Sequence, residues 1–131
     1  MNLTIDFEKI EKELKNIAKE AAEKEIACME KEGFKYAVGS GGSTDYLYDA
    51  CGGSYIGFRK RTSSFYRQYK YWINHIVNKW EGKLHQIEIH TFHYPRSGRQ
   101  EYRVNRAVAL ACCEYINTNY GANCFVKSYI D

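Results

Sequence analysis

Between Phe7 and Cys28 the positions Phe7, Ile10, Leu14, Ile17, Ala21, Lys24 and Cys28 recur at spacings of 3-4-3-4-3-4. All but Lys24 are apolar or small, which gives the heptad-like seam of one long amphipathic helix over residues 5–32. Asp6 is placed to cap its first turn, and Glu8 suits the positive end of the helix dipole. Glu8–Lys12, Glu11–Lys15 and Glu20–Lys24 are i,i+4 pairs on the outer face, and Gly33 is a natural stop. Two readings of the seam stand side by side. It packs on the protein's own sheet, or it also meets a second subunit, since small residues at Ala21 and Cys28 let another backbone come close.

After this helix the period changes. Phe34–Val38 is a short apolar strand, and Gly39–Asp45 is a loop without the spacing of a P-loop or a dinucleotide fingerprint. Tyr46–Cys51 and Ser54–Arg59 flank Gly52-Gly53, a pattern that predicts a tight hairpin turn at the two glycines. Ser63 or Ser64 caps a second helix with a stripe of Phe65, Tyr69, Trp72, Ile73, Ile76 and Trp80, closed by Gly82. Leu84–Tyr94 is a strand with Ile87, Ile89 and Thr91 on one face, followed by a turn at Pro95–Gly98. Glu101–Asn119 is a third helix with Val104, Val108, Ala111 and Tyr115 inward; Gly121 ends it, and Asn123–Ile130 is a last strand. The order predicts an α+β fold: a single domain over residues 1–131 with a long N-terminal helix (residues 1–33, a candidate oligomerisation element), a mainly antiparallel sheet and two further helices.

Composition sharpens this frame. A chain of 131 residues fits one domain and can bury about two-thirds of its unfolded surface. No apolar run approaches the roughly 20 residues of a membrane span, and the start does not resemble a signal peptide. Five cysteines with no CxxC pair, at 28, 51, 112, 113 and 124, are expected to be small buried residues in a reducing cytoplasm. His85, His90 and His93 cannot all face one metal on a strand, so no metal or other cofactor is expected. Residues 1–32 hold 6 Lys and 9 acids, whereas the rest of the chain carries 13 basic and 7 acidic side chains. The net +3 is too weak for a general nucleic-acid binder and suits a small anion held by a few placed arginines.

Those arginines are clustered. All 7 lie between Arg59 and Arg106. Arg59, Lys60, Arg61 and Arg67 sit at a strand end and a helix start, where free N–H groups favour an anion. Arg99, Arg103 and Arg106 share one face at the start of the third helix, the unfavourable end of its dipole for cations. Two readings stand here as well: a phosphate site, or a solvated face with carboxylate partners such as Glu101. Tyr66, Tyr69, Tyr71, Tyr94 and Tyr102 interleave with the arginines, a pairing suited to phosphate plus base, although tyrosines at helical spacing also serve as core. No GxSxG, HExxH or strained acid pair is present, so an enzyme is not expected.

Cys51-Gly52, Tyr55-Ile56, Gln100, the alanines Ala107, Ala109 and Ala111, and Ser128-x-x-Asp131 together resemble a family of small phage proteins, from about residue 10 to residue 131. Gly53 departs from that family, which tends to place an aromatic residue after Cys-Gly. The family is similar to the Thoeris anti-defence sponges. The resemblance implies a non-enzymatic protein of the infected bacterial cytoplasm that sequesters glyco-cyclic ADP-ribose, or cyclic trinucleotides, as a homo-oligomer with pockets between subunits. Charge and spacing point to Arg59, Arg61, Tyr94, Arg99, Gln100, Tyr102, Arg103 and Arg106 as ligand-binding residues. The rival expectation is an inhibitor that binds a host nuclease or CRISPR-type complex, or its nucleic acid, through the same basic face. Nanomolar capture needs about −12 kcal/mol. Three or four charge-assisted hydrogen bonds at about 2 kcal/mol each and one base stack at about 1–3 kcal/mol, less an association cost of at least about 4 kcal/mol, fall short on an open surface. An enclosed pocket drawing on two protomers is therefore expected.

Overall fold

The computed structural model describes residues 3–37, 46–47, 52–59, 62–77, 86–88 and 101–130. Helix α1 (Phe7–Lys31) begins where the Asp6 side chain accepts from the Lys9 N–H at 3.1 Å. It ends in a Schellman turn. Gly33 lies at φ +94, its N–H donates to the Glu30 carbonyl, and the Phe34 N–H donates to the Met29 carbonyl. Glu11 and Lys15 pair at 3.1 Å on the outer face.

The buried face of α1 corrects the expected seam. Phe7, Ile10 and Leu14 are buried as the spacing predicts, but the line then runs through Ala18, Ala22, Ile26 and Met29. Ile17 and Ala21 are only half-buried, and Lys24 and Cys28 are exposed. A straight helix turns every 3.6 residues, so a 3.5-residue seam drifts by about 20° per heptad, and α1 packs mainly on another helix, Tyr102–Tyr120, rather than directly on the sheet. Phe7, Ala18 and Met29 are two 11-residue steps apart, and all three are buried.

Strand β1 (Tyr36–Ala37) pairs antiparallel with β2 (Tyr46–Leu47). A separate antiparallel sheet has the order β4-β3-β5, with β3 at Gly52–Phe58, β4 at Gln86–Glu88 and β5 at Cys124–Ile130. The glycine pair is therefore no turn: Gly52 and Gly53 open β3, opposite Ile130 and Tyr129. Close approach explains glycine at both. A methyl at Gly52 would collide with the Tyr129 carbonyl oxygen and lie 2.9 Å from the Tyr102 ring. One at Gly53 would lie 2.7 Å from Tyr129 Cζ.

Helix α2 (Ser64–Tyr71) starts at Ser63, whose hydroxyl accepts from the Tyr66 N–H at 3.2 Å, and runs on as a π-helical turn over Trp72–Val77. Phe65 is buried and Tyr69 and Trp72 are half-buried on the predicted stripe; Trp72 stacks on Phe7, Phe65 is tilted against Phe7, and Tyr69 is tilted against Phe58. Trp80, Gly82 and all of Leu84–Tyr94 except 86–88 lie outside the described residues, as do the Gly39–Asp45 loop and the Pro95–Gly98 turn.

Helix α3 (Tyr102–Tyr120) stops at Gly121, φ +60. It buries Val104, Val108, Cys112 and Ile116, with Asn105, Ala109 and Cys113 beside them; Ala111 and Tyr115 are half-buried, at the edge of this face. The main core lies on both sides of α3, which packs against α1 and against β3 and β5, with Ile56 and Phe58 of β3 buried in it. The fold is α+β, with a long N-terminal helix, two further helices and antiparallel strand pairing throughout the described sheets.

Candidate functional site: a cationic aromatic sheet face

Alternation divides β3 in two. Ser54, Ile56 and Phe58 are buried, and their register partners are Ser128, Val126 and Cys124. Ser54 and Ser128 share a hydroxyl hydrogen bond of 2.8 Å. Gly53, Tyr55 and Gly57 belong to the other face, opposite Tyr129, Lys127 and Phe125. Arg59 continues that face. Its guanidinium lies 5.4 Å from the Phe125 ring centroid and donates to Asn123 Oδ1 at 3.4 Å. No carboxylate among the described residues forms an ion pair with Arg59. A planar ligand with a negative group finds rings and cations together here.

Beneath Arg59 lies a pair of thiols. Cys113 and Cys124 have their sulfurs 3.3 Å apart, and Asn117 accepts from the Cys124 N–H at 2.8 Å and donates to its carbonyl at 2.9 Å. The hydrogen bond from Cys124 lowers the Cys113 thiol from its usual range, and the Arg59 charge adds to this. The hydrogen bond with Cys113 and burial together raise Cys124. Cys112 is buried, as expected, but Cys28 is exposed because it lies off the true core line of α1; Cys51 falls outside the described residues.

The second arginine cluster has a different setting. Arg103 Nε and Nη2 reach Glu25 at 2.9 and 2.7 Å, and Nη1 reaches Glu32 at 2.7 Å. Its guanidinium also lies 5.3 Å from the Phe34 ring centroid. These contacts tie α3 to the end of α1, and the hydrogen bond to Glu32 is the main cause of a raised Arg103 pKa. Arg106 is exposed. Tyr102 is half-buried with its ring against Gly52, on the helix side of the sheet, and Asn105 Nδ2 donates to the Gly52 carbonyl at 2.8 Å. Glu101 is buried at the N-cap of α3.

Arg59 and the α3 cluster therefore sit near opposite ends of β3. Seven residues of strand span about 23 Å, too far for one small anion to touch both. Arg61, Tyr94, Arg99 and Gln100 lie outside the described residues. Sequence reasoning missed Tyr55, Phe125, Lys127 and Tyr129. Their signal was a period of two, with Tyr55, Gly57 and Arg59 on one strand and Phe125, Lys127 and Tyr129 on the other.

No group of three or more His, Cys, Asp or Glu among the described residues could hold a metal ion. No helix among them is long and apolar enough to cross a membrane. Comparison with protein-family models, with curated proteins and with solved structures finds no match to this chain.

Proposed function

We propose that this protein binds a cyclic nucleotide signal of the glyco-cyclic ADP-ribose or cyclic trinucleotide type and sequesters it without cleaving it, as a phage anti-defence protein in the cytoplasm of an infected bacterium. The observation that carries the reading is Arg59 lying over Phe125, on a face that also holds Tyr55 and Lys127. A guanidinium and an ammonium suit phosphate, and the rings suit a base. The residues shared with the phage family support the same reading. Arg103 is the weaker candidate for the ligand-binding set, because Glu25 and Glu32 engage three of its five N–H donors and offset its charge.

Capture at nanomolar strength requires an enclosed site, so the functional unit is a homo-oligomer in which a second protomer covers this face or supplies further arginines. The test is depletion followed by release. The protein is incubated with cyclic ADP-ribose isomers or cyclic oligonucleotides, the free ligand is measured, and the protein is then heat-denatured. Recovery of intact ligand is the expected result; a chemically altered ligand, or no depletion, contradicts the proposal.

A further inference from the structure

The sheet face has a feature that a single small nucleotide does not use up: its ring positions repeat. Gly53 faces Tyr129 and Gly57 faces Phe125 in the β3–β5 register. A methyl at Gly53 would lie 2.7 Å from Tyr129 Cζ, and one at Gly57 would lie 2.7 Å from Phe125 Cζ. Each ring thus leans across onto β3, over the space a side chain would fill. Tyr129 remains accessible from outside, whereas the outward side of Phe125 is covered by Arg59. Tyr129 is 46% exposed, and Phe125 receives the Arg59 guanidinium on its face.

The two glycine–ring pairs are four residues apart, about 13 Å along an extended strand. Midway between them Tyr55 stands opposite Lys127. The result is a row: ring, tyrosine with lysine, ring, then arginine. One base covers one ring, and a row of rings with interleaved cations matches a chain of bases joined by phosphates.

We infer that this face binds a single-stranded nucleic acid, with bases on Tyr129 and Tyr55 and on the Arg59 guanidinium held over Phe125, and the phosphates following Lys127. A duplex offers no free base faces to such a row. The small net charge does not oppose this, because the acids of residues 1–32 belong mainly to α1, which packs against α3 on the core side of the sheet.

The test uses the full chain and fluorescence anisotropy in low salt, with short labelled oligothymidine and oligouridine and a hairpin duplex of matched length. Single strands are expected to bind at least tenfold more tightly than the duplex. Tyr129→Ala should weaken binding about tenfold while Tyr129→Phe retains it, as stacking requires. Lys127→Ala should weaken binding and flatten its salt dependence, whereas Lys19→Ala on the outer surface of α1 should change neither. Thermal melting of each variant checks that it is folded. Equal binding to duplex, no binding of any single strand, or full affinity in folded Tyr129→Ala would each overturn the inference. Capture of cyclic nucleotides without oligonucleotide binding overturns it and leaves the proposed function standing. Oligonucleotide binding without cyclic-nucleotide capture supports it and removes the proposed function.

Discussion

Replacing Arg103 with alanine separates a ligand contact from a structural tie. The side chain is 34% exposed and bridges α3 to Glu25 and Glu32, beside Phe34. The doubly bonded and better-buried Glu25 pair is worth about 1 kcal/mol after solvent screening, and the more exposed Glu32 pair about 0.5 kcal/mol. The contact with Phe34 adds about 0.5 kcal/mol. Arg103→Ala should therefore cost about 2 kcal/mol, a fall in Tm of about 6–8 °C for a domain of this size. Circular dichroism melting of Arg103→Ala, Glu25→Ala and the double variant gives the coupling directly, expected at about 1 kcal/mol. Ligand depletion by Arg103→Ala should match the unaltered protein below its Tm. A Tm within 1 °C of the unaltered protein, together with tenfold weaker capture, would refute this account and return Arg103 to the ligand.

Other expectations follow from the packing. Gly52→Ala should destabilise more than Gly57→Ala, by about 1 kcal/mol or more on denaturant titration, because the added methyl meets the backbone of β5 rather than the movable Phe125 ring. Burial pushes the Cys112 thiol up to about 12. A thiol that stays protonated in the fold but ionises when unfolded stabilises fully below its unfolded pKa and loses that contribution as pH rises toward 12. Between about pH 9 and 12 stability should fall by about 1.4 kcal/mol per pH unit more steeply than in Cys112→Ala, checked by urea melts across that range. Mass-mapped alkylation of the native protein should modify Cys28 and spare Cys112, Cys113 and Cys124.

Much of the fold is written locally. Asp6, Ser63, Gly33 and Gly121 mark helix ends, and each acts through atoms no more than five residues away. Two features failed for lack of that locality. The α1 seam follows a 3.5-residue spacing as far as Leu14, and beyond it several small residues compete for the inward line. Which of Ala21 and Ala22 is buried depends on where α3 lies against the helix. Gly52-Gly53 has the composition of a turn, yet its reason lies in Tyr129 and Tyr102, far along the chain. The site divides in the same way. Arg59 was found from its cluster, whereas the carboxylates that hold Arg103 come from a helix 71 and 78 positions away and leave no local trace. Phe125, Lys127 and Tyr129 become neighbours of Arg59 and Tyr55 only once the β3–β5 register is set.

The central claim is that nucleotide binds on the sheet face around Arg59. The most direct measurement is backbone amide chemical-shift mapping during titration with a cyclic ADP-ribose isomer. Shifts concentrated at Tyr55–Arg59 and Asn123–Tyr129, and lost in Arg59→Ala, are the predicted result. Shifts concentrated at Tyr102–Arg106 on the first turns of α3, or an unchanged spectrum at saturating ligand, would contradict it.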